Sequence, residues 1–275
     1  MNTIIISLVL TLALGLLSGL FLMISFKKFY VQEDPRVEML LEALPGANCG
    51  ACGYSGCVGY AEALAGGKET NAAKCGPGGQ EVADKVAHII GLDTVSIVKR
   101  VAKVMCNGTK ENAVRRSDYD GVKSCRVADF TLKGDRGCVY GCLGFGDCVN
   151  VCQFGAMFMG DDGLPHIINE KCTACGKCVE ACPHDLIELV PLDRKVFVFC
   201  KNLDRGPVAK SYCKVACIGC GLCVKQAPEG AMKLEKNLVI IVDAEKVDEV
   251  ADKVVGVCPT KAIALDEKFA EVKTV

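Results

Sequence analysis

The sequence predicts an α+β protein. One transmembrane helix opens it, a small helical domain follows, and two modules of short strands and one-turn helices complete it. Three observations carry this prediction. The chain begins with a long uncharged run. Twenty of its 275 residues are cysteine, and they fall in spaced groups. Glycine is abundant at 29 residues while Trp is absent, so large aromatic cores are scarce and part of the chain must be held by disulfides or metal. With 32 basic and 33 acidic residues the formal charge is −1, which excludes a globally basic nucleic-acid binder.

Thr3 to Phe26 is a 24-residue run without charge, long enough for a hydrocarbon core of about 30 Å. A cleaved signal peptide is the competing reading. No positive segment precedes the run, however, its apolar stretch is longer than a signal core, and Lys27 and Lys28 end it as a stop-transfer pair. The positive-inside rule then predicts a single-pass protein of the cell (inner) membrane, with its N-terminus outside and everything after Lys28 in the cytoplasm. Reducing thiol pools oppose disulfides there, which turns twenty cysteines into a metal problem.

The clearest motif is Cys172-x2-Cys175-x2-Cys178-x3-Cys182-Pro183. It is the bacterial ferredoxin run, in which three thiolates hold one [4Fe–4S] cluster and the fourth reaches a partner cluster. Zinc would need two CxxC pairs and gains nothing from the third cysteine or the Cys-Pro. Upstream, Cys138-x3-Cys142-x5-Cys148-x3-Cys152 is a stretched version of the run, with Gln153 in place of Pro. Crossed ligation assigns Cys138, Cys142, Cys148 and Cys182 to one cluster, and Cys172, Cys175, Cys178 and Cys152 to the other.

A second module retains Cys217-x2-Cys220-x2-Cys223 and Cys258-Pro259. Ala227, Asp248, Ala251 and Val254 stand where the ligands of its sister cluster would be. Crossed ligation leaves one intact set: Cys217, Cys220, Cys223 and Cys258. Cys213, four residues before Cys217, is the competing ligand. Near the span, Cys49-x2-Cys52-x4-Cys57-x17-Cys75 is a one-cluster signature whose glycines let backbone N–H groups approach the sulfurs; zinc is its alternative. These sixteen cysteines predict four [4Fe–4S] clusters. The remaining Cys106, Cys125, Cys200 and Cys213 read as buried or spare thiols, with a fifth cluster made from those four as the rival reading.

The expected organisation is a transmembrane helix over 1–28, a single-cluster domain over 29–95, a basic linker over 96–130, a two-cluster ferredoxin-like module over 131–190, a basic linker over 191–212 and a one-cluster ferredoxin-like module over 213–275. Residues 35–44, Val58 to Ala65 and Glu81 to Ile90 read as helices, the last two closed by Gly66-Gly67 and Gly91. Val95 to Met105 fits strand or helix. Leu186 to Val190, Val196 to Phe199 and Leu238 to Val242 fit strands. His88, His166 and His184 lack metal-ligand spacing and read as structural. Residues 99–136 carry ten Lys/Arg against five Asp/Glu, and residues 191–214 carry six against two. A solvated face and a docking surface for an acidic partner are the two readings. The chain has no Walker A motif, and Gly141-Cys-Leu-Gly144-Phe-Gly146 lies inside a cysteine run, not after a strand.

The order of a single N-terminal span, GANCGACGYSGC, CVYGCLGFGDCVNVC and KCTACGKCVEACP resembles the B subunits of Rnf complexes over nearly the whole chain. Those complexes are membrane-bound, ion-translocating ferredoxin:NAD+ oxidoreductases. The resemblance implies an electron-relay subunit of such a translocase. It would accept electrons from soluble ferredoxin on the cytoplasmic side and pass them to the other Rnf subunits, with flavin and NAD sites elsewhere. A membrane-tethered redox sensor and an electron-transfer subunit of another membrane oxidoreductase are the rival readings.

Overall fold

The computed structural model describes residues 2–29, 34–93 and 96–266. Val95, where one predicted element begins, and the last nine residues of the expected final module lie outside them. Helix α1 (Asn2–Phe29) is the apolar run, and it is long and apolar enough to cross a membrane. At 1.5 Å per residue its 28 residues span about 42 Å.

Three helices and a 3₁₀ turn build the next domain. The Asp34 carboxylate accepts from Arg36 N–H, and Pro35 takes the first position of α2 (Pro35–Ala43), where its missing N–H costs nothing. α3 (Cys57–Ala65), the turn at Ala72–Lys74 and α4 (Gly79–Ile90) follow, with Gly91 closing α4 in the left-handed region. Leu40, Tyr60, Leu64 and Val86 are buried between them, and the Tyr60 hydroxyl donates to the Asn71 carbonyl at 2.8 Å. The helices expected here form within two residues of the expected bounds.

Two modules of like construction complete the described chain. In the first, β1 (Arg100–Val104) pairs antiparallel with β4 (Ile187–Pro191), Ala102 opposite Leu189. Inside this outer pair lie α5 (Cys125–Leu132), α6 (Asp147–Asn150), the hairpin of β2 (Met157–Met159) and β3 (Pro165–Ile167), and α7 (Lys177–Ala181). In the second, β5 (Val196–Val198) pairs antiparallel with β8 (Ile263–Leu265). Between them come α8 (Gly206–Tyr212), α9 (Leu222–Gln226), the hairpin of β6 (Met232–Glu235) and β7 (Leu238–Ile241), α10 (Ala244–Glu249) and α11 (Ala251–Gly256). Phe197 and Phe199 of the second module pack with Val101, Met105 and Val190 of the first in one core.

The boundaries at 131 and 213 differ from this arrangement. The stretch 96–130 supplies β1 and the start of α5, and 191–212 supplies β5 and α8. Most of their basic residues are exposed, while Val101, Ala102, Lys103 and Phe197 in the same stretches are buried. A strand that pairs with a partner some 85 residues away leaves no local mark of that pairing.

Candidate metal centres

Three of the short helices start alike. Gly146, Gly176 and Gly221 precede α6, α7 and α9 with φ of 81, 80 and 70°, and the second helical residue is Cys148, Cys178 or Cys223. The left-handed glycine turns the loop sharply into the helix and aims the cysteine inward. All three of these cysteines are buried.

The expected ligand sets divide into two classes. Cys49, Cys52, Cys57 and Cys75 come together: burial pushes the Cys75 thiol up to about 11, and the other three add to the shift. Cys172, Cys175, Cys178 and Cys152 also meet, with Cys178 pushed up to about 12 by burial and then by its three companions. So do Cys217, Cys220, Cys223 and Cys258, where burial raises Cys223 to about 11. Cys213 packs with Ala209, Ala216 and Cys200 and lines a different cavity. In the second module Val254 and Val247 are fully buried in one core with Ala227 and Ala251, so three of the four positions expected to lack ligands are apolar packing. The Asp248 carboxylate accepts from the N–H groups of Lys195 and Val196 at 2.9 and 2.8 Å, fastening α10 to the start of β5.

The set Cys138, Cys142, Cys148, Cys182 is divided between two cavities, Cys142 lining both. One cavity is lined by Cys142, Cys148, Cys182 and Cys125, without Cys138. Burial raises Cys148 to about 12, and Cys125 and Cys182 follow as causes. Cys125 arrives there through its neighbours. Ser124 Oγ and Arg126 N–H both donate to Asp147 Oδ2, at 2.8 and 3.1 Å, which joins the start of α5 to the start of α6. His184 fixes the other side, its Nδ1 donating to the Gly141 carbonyl at 2.6 Å and its Nε2 bonding Asp129 at 2.9 Å. That histidine is structural, as expected. Cys138 lines a second cavity with Cys106, Cys200 and Cys213. Spacing could not show that Cys125 lies beside Cys142, Cys148 and Cys182, because Cys125 lies outside any cysteine run.

These groups fit iron–sulfur clusters. Burial raises the thiols of Cys75, Cys148, Cys178 and Cys223, so thiolates persist at these positions only beside a compensating cation. Backbone N–H groups are already aimed at sulfur: Ala102 at Cys172 (3.4 Å), Ala156 at Cys152 (3.3 Å) and Leu186 at Cys182 (3.4 Å). Among the described residues no three His, Cys, Asp or Glu side chains close to single-ion distance. Thiolates on one zinc at about 2.3 Å would stand about 3.8 Å apart. Those of a cubane each hold a different iron and stand wider.

Comparison with known proteins agrees with this chemistry. An Fe-S cluster family model matches residues 44–77, and a 4Fe-4S binding domain model matches residues 165–188. The chain is 44% identical to the B subunit of the Na(+)-translocating ferredoxin:NAD(+) oxidoreductase complex of Acetobacterium woodii, over 94% of this chain and 76% of that protein. It is 39% identical to the B subunit of the ion-translocating oxidoreductase complex of Methanosarcina acetivorans, over 96% and 100%. It is 40% identical to the B subunit of the proton-translocating ferredoxin:NAD(+) oxidoreductase complex of Clostridium ljungdahlii, over 96% and 93%. With its apolar leading helix, its cysteine groups and this similarity along nearly its whole length, the chain belongs to the family of Rnf complex B subunits.

Proposed function

We propose that this chain relays electrons within a membrane-bound, ion-translocating ferredoxin:NAD+ oxidoreductase. It takes them from reduced soluble ferredoxin on the cytoplasmic side and delivers them to the membrane subunits of the complex. α1 anchors it as a single-pass span with the N-terminus outside. Four [4Fe–4S] clusters are held by Cys49/Cys52/Cys57/Cys75, Cys125/Cys142/Cys148/Cys182, Cys152/Cys172/Cys175/Cys178 and Cys217/Cys220/Cys223/Cys258. When bound, each supplies a one-electron couple.

The observation that carries this reading is that successive cysteine groups adjoin one another and that one of them reaches solvent. Cys220 is exposed, and it is the one cysteine of the twenty that is. Cys148 and Cys178 of the first module lie close enough for each sulfur set to feel the other. A β-carbon placed on Gly76, next to Cys75, would stand 3.1 Å from the carbonyl of Thr173, next to Cys172. The helical domain that follows α1 therefore abuts the first module at their cysteine loops. The N–H groups on Cys172, Cys152 and Cys182 stabilise added negative charge on sulfur and so raise the potentials of the clusters they serve.

The basic segment lies at the exposed end. Lys195, Arg205 and Lys210 are exposed, while Lys201 is half-buried and paired with Glu188. A β-carbon on Gly206, at the start of α8, would stand 2.6 Å from the Ile218 carbonyl, in the loop between Cys217 and Cys220. An acidic donor docked on α8 would meet the cluster at Cys220. Stopped-flow reduction of the anaerobic holoprotein by reduced ferredoxin tests this. Lys195→Ala, Lys201→Ala, Arg205→Ala and Lys210→Ala together should slow association and flatten its salt dependence, with iron content unchanged. An unchanged salt slope would make this face merely solvated, and failure of ferredoxin to reduce the wild type would overturn the function.

A further inference from the structure

Cys106, Cys138, Cys200 and Cys213 come from four separate stretches of chain: the end of β1, the loop after α5, the end of β5 and the end of α8. Together with Cys142 they line one cavity between the two modules. None of the four forms a disulfide. The sulfurs of Cys106 and Cys213 both lie within 4.0 Å of one point, the place a β-carbon on Gly108 would take. Asn202 is 1% exposed and reaches two of the others, its side-chain amide donating to Cys138 Sγ at 3.3 Å and its backbone N–H to Cys200 Sγ at 3.5 Å. Gly108 N–H donates to Cys106 Sγ at 3.4 Å. Neutral thiols are weak acceptors, so this many donors turned towards sulfur fits thiolate.

The wall of the cavity also carries a positive charge. Arg136 is 3% exposed and lines it, and its Nη1 donates to the Gly108 carbonyl at 2.8 Å. Its Nε is buried without a hydrogen-bond partner. A buried guanidinium bonded to carbonyls keeps its full charge and needs an anion nearby. A thiolate-ligated cubane, which is net negative, supplies one.

We propose that Cys106, Cys138, Cys200 and Cys213 hold a fifth [4Fe–4S] cluster that links the two ferredoxin-like modules. Its place in the relay follows from two further bonds. Cys142 N–H donates to Cys106 Sγ at 3.5 Å, and Cys217 N–H donates to Cys200 Sγ at 3.3 Å. Cys142 belongs to the first module's set and Cys217 to the second's, so the quartet touches a ligand of a cluster on either side. Assembly releases the thiol protons as Fe–S bonds form, and each relay step then moves one electron between neighbouring clusters with no bond made or broken. A structural zinc would also accept four cysteines, but it would interrupt the relay at its middle.

The inference rests on the four-cluster reading, and cluster counting separates the two. Full-length protein, purified anaerobically in detergent, should carry about twenty iron and about twenty acid-labile sulfide per chain. Native mass spectrometry should show five clusters in the wild type, without recourse to any variant. Cys106→Ser and Cys213→Ser should each remove one cluster and leave four. A count near sixteen that neither variant changes would overturn the fifth cluster and spare the other four, and so would one zinc per chain lost in both variants. A count near eight would overturn both readings. Arg136→Leu keeps every ligand. It should move one one-electron wave of a redox titration to lower potential and leave the rest in place, and Arg136→Lys should restore it. Waves that are identical in Arg136→Leu and wild type would overturn the assignment.

Discussion

The two ferredoxin-like modules share one plan and differ in what fills it. Each pairs its first strand with its last and encloses a hairpin and short helices, yet the first brings two four-cysteine sets together and the second only one. Where the second lacks a set, α10 and α11 supply Val247 and Val254, both fully buried, beside Ala227 and Ala251. Asp248, at another of the vacated positions, binds two backbone N–H groups of the opening strand. A cluster and a small apolar core thus fill the same structural role within one fold. Both give the short helices something to pack against, one through metal–thiolate bonds and the other through burial worth about 1.5–3 kcal/mol per large aliphatic side chain.

This difference between the modules has measurable consequences. The largest effect should come from iron removal. Anaerobic chelation should open the first module, residues 100–191, to protease well before the second, because only the second has an apolar core in place of a cluster. Simultaneous loss of protection in both would mean that the valine core is no substitute for a cluster. Next in size are single ligand losses. Cys258→Ala should cost about four iron per chain while the iron of the first module stays. Cys125→Ala should likewise empty one site of the first module, the one shared with Cys142, Cys148 and Cys182. Full iron in Cys125→Ala would return Cys138 to that site.

Smaller effects probe the filling itself. Val254→Ala should destabilise the second module by about 2 kcal/mol through the cavity it leaves, with iron per chain unaltered, read from chelator-free denaturant unfolding. Loss of iron at equal stability would mean that Val254 supports the cluster and not the core. Asp248→Ala should cost about 1–3 kcal/mol, since two backbone donors lose their acceptor, and it should fray β5 in hydrogen exchange. Unchanged exchange at Lys195 and Val196 would remove Asp248 from this role.

Much of this was legible in the amino-acid order. The uncharged run before Lys27 and Lys28 gives α1, because helix length and hydropathy are local properties. The Cys172–Cys182 run, the Cys49–Cys75 run and the Cys217–Cys223 run each declare a loop that gathers thiols, because three cysteines lie within a few residues and the chain between them is rich in glycine. The loss of a whole ligand set in the last module, read from Ala227, Asp248, Ala251 and Val254, anticipates the buried valines found there.

Tertiary structure decided the rest, and the physical reason is distance along the chain. β1 meets β4 and β5 meets β8 across stretches whose local composition reads as basic linker. Cys125 joins its set through the bonds that its neighbours Ser124 and Arg126 make to Asp147, and no spacing rule encodes those bonds. Cys138 sits inside a cysteine run yet turns to a different cavity, in company with Cys106, Cys200 and Cys213. A thiol's neighbours in a run follow from its sequence, but a thiol whose partners lie tens of residues away is assigned only when strands and helices have packed.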